Sequence, residues 1–382
     1  MRSASSPPTR AVPTSIRQWN ERVVVRSLRG AGALRVAEIA ARTGLTPGTL
    51  RQVLQGLADK DWVHVHASTT TGRGRPARLF SLNFPQAWML GLDVGAHVVR
   101  GVRLRLDGTR EAAEERQLPY GASDRERHRL VGSIVDQLCE GIDRDDIWMT
   151  GLAVGGSLTE DGVVQRSVAI PEWDGQRPLE LYADVIPGRG LLLNDVFAAT
   201  LAEHVAGAAQ GANEVLFVHL GRRPTFGILL GGDVHRGAHG TAGDMSKNRL
   251  LAEEGDPPWM QQLVRGADVS IDDDLADSIR HYVRLITPRL ALAAALIDPE
   301  VMVIAGTLAP HAHLYLDELQ SALSDQLQAA PRVTTSKFDQ FGSAEGAAQL
   351  ALRTLDQLLV NEDGPIAALR KASLIGPTPA HG

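Results

Sequence analysis

Apolar and polar positions alternate with two different periods along this chain, and the change of period divides it. Between residues 14 and 60 the apolar positions recur every three or four residues, which is the helical period. Residues 16–29 predict a helix, with Ile16, Val23, Val24 and Leu28 available for a core. Residues 35–43 predict a second, with Val36, Ile39 and Ala40 inward and Gly44 ending it. Thr46 is a good N-cap and Pro47 suits the first helical position, so a third helix runs to about Lys60. Its apolar face is Leu50, Val53, Leu54 and Leu57; its polar face is Thr49, Arg51, Gln52 and Gln55. From Trp62 to His66 the period shortens to two, and it does so again over residues 78–82, predicting a hairpin whose loop spans residues 69–77.

Beyond residue 86 strands and helices alternate. Strands are predicted at 89–94, 98–106, 111–118 and 147–154, with a helix over 123–142 between the last two. A partial repeat follows. Leu191-Leu192-Leu193 leads into Asn194-Asp195 and a helix to about Ala209, then strands at 215–220 and 226–230. A long helix at 272–297, a strand at 301–306 and helices at 314–328 and 343–359 complete it. This order fits an α/β body of two sheet-plus-helix lobes facing a cleft, with a ligand at the carboxyl ends of strands.

Charge sharpens the division. Residues 1–85 hold 13 Lys and Arg against 4 Asp and Glu, a net of +9; the whole chain is −6, so the remainder carries −15. A basic head on an acidic body points to a polyanionic partner for the head alone. Helix, short turn and helix is the arrangement that sets its second helix in a DNA major groove. Arg, Gln and Thr suit base edges and phosphates. The hairpin reads as a wing. Its loop, Gly72-Arg73-Gly74-Arg75-Pro76, joins Arg78 in presenting three arginines suited to a narrow minor groove. The candidate DNA contacts are Arg35, Thr46, Thr49, Arg51, Gln52, Gln55, Arg73, Arg75 and Arg78, on double-stranded DNA. The alternative is a three-helix interaction domain with a polar hairpin.

No apolar run is long enough for a membrane span. Residues 1–13, rich in Ser, Pro and Arg without an apolar core, read as a disordered arm. Cys139 is the single cysteine, so no internal disulfide or multi-cysteine zinc site is expected, and a cytoplasmic location follows.

Several motifs resemble the ROK family of repressors, open reading frames and kinases, and within it the transcriptional regulators. They are Gly72-Arg73-Gly74-Arg75-Pro76, Gly91-Leu92-Asp93-Val94-Gly95, Ile170 to Gly175, Asn194 to Ala199, Arg236 to Gly243, and Asp298-Pro299-Glu300. The resemblance covers roughly residues 18–355. It implies a winged helix-turn-helix over 14–84 and a sugar-kinase-like body of the actin-like ATPase, ribonuclease H-like type. Lobe 1 takes 85–200, with the 343–360 helix returning to it; lobe 2 takes 201–342, and 361–382 form a tail. It also implies a homodimer or dimer of dimers, and an effector, sugar-like in the first instance, held by Gly156, Trp173, Asn194, Asp195, Asp244 and Lys247.

The chain departs from the kinases of that family. Their first turn, Asp-x-Gly-Gly-Thr-Lys, stands here as Asp93-Val94-Gly95-Ala96-His97-Val98, without the second glycine, the hydroxyl or the lysine. Their second glycine-rich loop stands as Leu220 to Gly227, with Arg222, Arg223 and Pro224 in it; proline lacks an N–H and bulky side chains keep the backbone from a phosphate. Arg222 and Arg223 fit either a solvated turn or an anion site. Asp195 matches the kinase general base and would only hydrogen-bond the sugar in a regulator; Asn194-Asp195 also reads as a helix N-cap. The family's Gly-Glu-x-Gly-His appears as Gly243 to Lys247, with Asp244 for Glu and Lys247 for His, and its cysteine-rich zinc loop is missing. The expectation is a DNA-binding repressor with no catalytic residue, cofactor or metal. Its body senses a sugar, another small metabolite, or nothing. The rivals are an active sugar kinase with an accessory DNA-binding head and a constitutive DNA-binding scaffold.

Overall fold

The computed structural model describes residues 13–29, 31–60, 62–66, 78–83, 87–119, 121–221, 224–245, 259–260, 263 and 271–361. They fall into two compact units. Among the described residues, the first takes those up to Trp88, Arg105–Thr109 and 352–361; the second takes Met89–Leu104 and Arg110–Ala351.

In the head, α1 (Pro13–Leu28), α2 (Val36–Thr43) and α3 (Pro47–Asp59) pack with β1 (Leu34–Arg35), β2 (Val63–His66) and β3 (Leu79–Leu82). The strands form an antiparallel sheet in the order β1-β3-β2, with Leu34 opposite Phe80 and Val63 opposite Leu82. Gly44 ends α2 in the left-handed conformation, at φ 69°. Thr46 caps α3, accepting the Thr49 amide at 3.3 Å, with Pro47 in the first turn. All four apolar residues expected on α3 are buried. On α1 the expectation needs correction: Ile16 is 59% exposed and Val23 only partly buried, while Val25 joins Val24 and Leu28 in the core. The helix is turned so that Glu21 also faces inward, where Arg17 and Lys60 pair with it at 3.3 and 3.5 Å. The arginine-rich loop of the hairpin lies outside the described residues.

The body repeats one topology. Its first sheet takes β4 (Trp88–Val94), β5 (Val98–Arg105), β6 (Arg110–Gln117), β7 (Ile147–Val154) and β10 (Arg189–Asn194) in the order β10-β7-β4-β5-β6. The second takes β11 (Val215–His219), β12 (Thr225–Leu230), β13 (Asp233–Val234), β14 (Val301–Ala305) and β15 (Arg332–Thr335) in the order β13-β12-β11-β14-β15. Counted in chain order within each sheet, both read 3-2-1-4-5 from one edge. A short hairpin, β8 (Ser157–Leu158) with β9 (Val164–Arg166), follows β7. Helices α4 (Asp124–Leu138) and α5 (Pro178–Leu181) belong to the first half, and α7 (Asp273–Ile297) and α8 (Leu316–Gln326) to the second.

Two helices join the sheets. α6 (Asp195–Ala206) starts where β10 ends, and α9 (Gly342–Asn361) follows the second sheet. Small residues let them close up. A Cβ on Gly91 of β4 would strike Ala344 and Ala348 of α9, and one on Gly151 of β7 would strike Ala347. α9 therefore lies on the first sheet, while Gly227 of β12 abuts Thr200 of α6.

Candidate functional site

On the head, the surface of α3 away from the core carries Arg51, Gln52 and Gln55, all exposed. Gln55 donates to Asp59 at 2.7 Å, an (i, i+4) bond that holds it along the helix. Thr49 is half-buried, and its hydroxyl lies 2.9 Å from that of Thr46, so these two residues serve the helix start first. Arg35 stands exposed at the start of α2, its amide held by Glu38 at 2.6 Å. Arg78 is exposed just ahead of β3. At the same, loop-side end of that hairpin, where His66 stands opposite Leu79, His66 Nε2 and Ser81 Oγ are 2.8 Å apart, tying the strands together. Arg73 and Arg75 lie outside the described residues.

In the body, the carboxyl ends of β4, β7 and β10 bring together residues distant in sequence. Asn194 caps α6: its Oδ1 accepts the amides of Val196 and Phe197 at 2.9 and 3.1 Å. Its Nδ2 donates to the Gly156 carbonyl at 2.9 Å, which ties α6 to the turn after β7. Gly156 has φ 137°, and a Cβ there would lie 2.6 Å from the Arg166 carbonyl, so the turn requires glycine. Asp195 follows, with its Oδ1 on the Val196 amide at 2.8 Å. Burial, then the nearby Asp93 carboxylate, and in smaller part Asp244, push the Asp195 carboxyl up to about 7.

Asp93 ends β4. Burial pushes its carboxyl up to about 6, against the charge and hydrogen bonding of Arg100 on β5. Arg100 lies 3.6 Å from Asp93 and donates to Glu115 of β6 at 2.7 Å. His219, at the end of β11, is held below the usual imidazole range by burial and then by the charge of Arg100. Asp93 thus stands between Arg100, which also holds Glu115, and Asp195, on which the Asp244 charge acts as well. Arg100, Glu115 and His219 escaped the sequence reading; the signal for two of them was an Arg and a Glu placed face to face across neighbouring strands.

The turn between β4 and β5 closes on itself. The Gly95 amide donates to the Val98 carbonyl at 2.9 Å, and Arg127 of α4 holds the Gly95 carbonyl at 3.3 Å. An amide that a phosphate-cradling turn would present is therefore already engaged. Pro224 of the second loop is buried, while Arg222, Arg223 and Lys247 lie outside the described residues.

Trp173 departs from expectation. Its side chain is fully buried, edge-on to Tyr182 at 6.4 Å with the Arg127 guanidinium 5.7 Å above its ring. Its ring therefore leaves no surface open to solvent. Apolar area outweighs one indole N–H in deciding where the ring goes.

Protein-family models agree with this architecture. The ROK family model matches residues 89–257 and 259–354, more than half of the chain. The chain belongs to the ROK family. The IclR helix-turn-helix domain model matches residues 24–66, which span α2, α3 and β2. Among curated relatives of this ROK protein, the Bacillus subtilis xylose repressor is 20% identical over 238 residues, 61% of this chain and 60% of that one. The chain thus spans about three fifths of that relative. The Escherichia coli DNA-binding transcriptional dual regulator NagC is 22% identical over 388 residues, covering 89% and 94%. The crystal structure of a ROK family transcriptional regulator, homologous to the E. coli MLC protein, superposes with a TM-score of 0.68 at 18% identity, over 94% of this chain and all of that one. No helix among the described residues is long and apolar enough to cross a membrane.

Proposed function

We propose that this ROK protein is a DNA-binding transcriptional repressor that acts as a homodimer in the cytoplasm. Its body holds a small hydroxylated effector without phosphorylating it. The observation that carries the reading is α3: four apolar residues lock one face into the core while Arg51, Gln52 and Gln55 stand exposed on the opposite face. A helix so fixed offers a rigid row of side chains to base edges. Arg35, Thr46, Thr49 and Arg78 flank that row toward the phosphates, and Arg73 and Arg75 extend it into the minor groove. Likeness to NagC along most of both chains supports it. In the body, Asn194, Asp195, Gly156 and Asp244 form the effector cradle, and Lys247 completes it. Effector binding shifts the population between head arrangements that match the operator spacing and those that do not.

A second reading, a sugar kinase with an accessory head, draws on Asp195. A carboxyl near 7 suits a general base at neutral pH. Against it stand the closed Gly95 turn and the missing lysine of the first loop. The test is duplex binding by the purified full chain, run beside ATP consumption with a panel of hexoses. The regulator reading expects salt-sensitive DNA binding and no ATP turnover. Sugar phosphorylation that disappears in Asp195→Asn would establish the kinase.

A further inference from the structure

Helix α7 has two apolar faces, and the core uses one of them. Ile279, Val283, Ile286, Leu290, Ala291 and Ala294 are buried in the cluster that α7 forms with β11, β14 and α8. The other face is bare. Leu292 is 63% exposed and Leu296 78%, the two highest exposures among the large apolar side chains of the described residues. Pro288 and Ala295 are exposed beside them, and Leu285 is half-buried without joining the core cluster. At the helical period these positions fall on one stripe about 16 Å long. A leucine exposed by itself is ordinary; a contiguous apolar stripe with a polar border marks a contact surface.

The border is polar on both sides. Toward the start of α7, Arg280 pairs with Asp277 and Arg284 with Glu318 of α8. Along one edge the Arg289 guanidinium donates to the Leu285 carbonyl at 2.8 Å. Past the end of the helix Asp298 is exposed. Among the described residues, neither Arg289 nor Asp298 forms an ion pair. The stripe itself holds no charged residue, the composition of an interface core inside a polar rim.

We infer that this stripe is the dimer face: α7 of one copy packs antiparallel on α7 of a second copy, about a two-fold axis at Leu292. The inference rests on the homodimer in the regulator reading and says which surface makes it. A two-fold contact is self-complementary, so a residue ahead of the axis meets one an equal distance behind it. Leu292 then meets its own copy. Pro288 meets the partner's Ala295, a ring against a small side chain, and Leu296 enters the notch between the partner's Leu285 and the partner's Arg289. The same operation brings Arg289 within an arginine's reach of the partner's Asp298, so each charge left without an opposite in its own chain gains one. Antiparallel helices also set opposite ends of their dipoles side by side.

Sedimentation equilibrium of the full chain, without DNA or effector, tests this. A residue on a two-fold axis faces itself, so a charge placed there repels its copy and attracts the opposite charge. Leu292→Glu and Leu292→Lys, each alone, should halve the mass that the wild type shows, with a dissociation constant raised at least about tenfold. An equimolar mixture of the two should return to the wild-type mass. Because Leu292 is exposed, the urea midpoints of both variants should stay at the wild-type value. Leu230→Glu, at an exposed apolar position away from α7, should sediment as the wild type does. If the Leu292 variants keep the wild-type mass, or their mixture is no heavier than its parts, the inference is overturned while the homodimer stands and must form through another face. A wild type with the mass of one chain removes the homodimer itself and the inference with it.

Discussion

Gly346 of α9 lies so close to Ala198 of α6 that a Cβ on the glycine would strike the Ala198 carbonyl. These helices are the joint between the two sheets, and α6 carries Asp195 at its first turn. Gly346→Val should therefore force the helices apart. We expect a loss of at least about 3 kcal/mol, the upper range for overpacking, because backbone rather than a side chain blocks the new atoms. A lower urea midpoint at unchanged slope is the sign to look for; an unchanged midpoint would mean the helices separate freely.

Asp195 makes a pH prediction with a definite sign. Burial pushes its folded carboxyl up to about 7, from 3.8 for an ordinary aspartate. Between those values the folded state holds a proton that the unfolded state has released. Stability therefore falls as pH rises through this window and levels off above it. Asp195→Asn removes the effect, so the variant should gain on the wild type between pH 4 and pH 8. A constant difference across that range, measured by urea unfolding, would show that Asp195 is not held protonated.

The Thr46 cap gives a local test. Thr46→Ala removes the acceptor of the Thr49 amide and the partner of its hydroxyl. The head should lose about 1 kcal/mol. Hydrogen exchange in the first turn of α3 should rise, and the body's exchange should stay the same.

Side chains in the major groove and in the minor groove should fail differently. Gln52→Ala or Gln55→Ala should relax discrimination at one or two base positions by about 1–3 kcal/mol. The Arg73→Ala, Arg75→Ala pair should lower affinity for every sequence and flatten its salt dependence. Changed central base preferences in the wing variant, with none in the helix variants, would reverse these assignments.

Much of this architecture was legible in the residues. Thr46-Pro47 and Gly44 mark helix ends because capping and left-handed backbone are local requirements. The unbroken apolar run of β7 reads as a buried strand for the same reason. β15 was not legible: Arg332-Val333-Thr334-Thr335 offers one buried apolar side chain, and pairing with β14 alone makes it a strand. The rotation of α1 that exposes Ile16 follows from what the helix packs against, which its own period does not record. At the site, Asn194 and Gly156 were readable as a cap and a turn. The Arg100–Asp93 pair was not, because it depends on two strands meeting in one register. Trp173 misled because a large aromatic in a motif can line a ligand or fill a core, and only packing distinguishes them.

The central claim, sequence-specific DNA recognition by this ROK protein, is tested most directly by selecting randomised duplex DNA on the purified full chain and sequencing what it retains. The account predicts an enriched repeat of two half-sites, separated centre to centre by about 10 base pairs or a multiple of that. Retained DNA with no enriched sequence would contradict it.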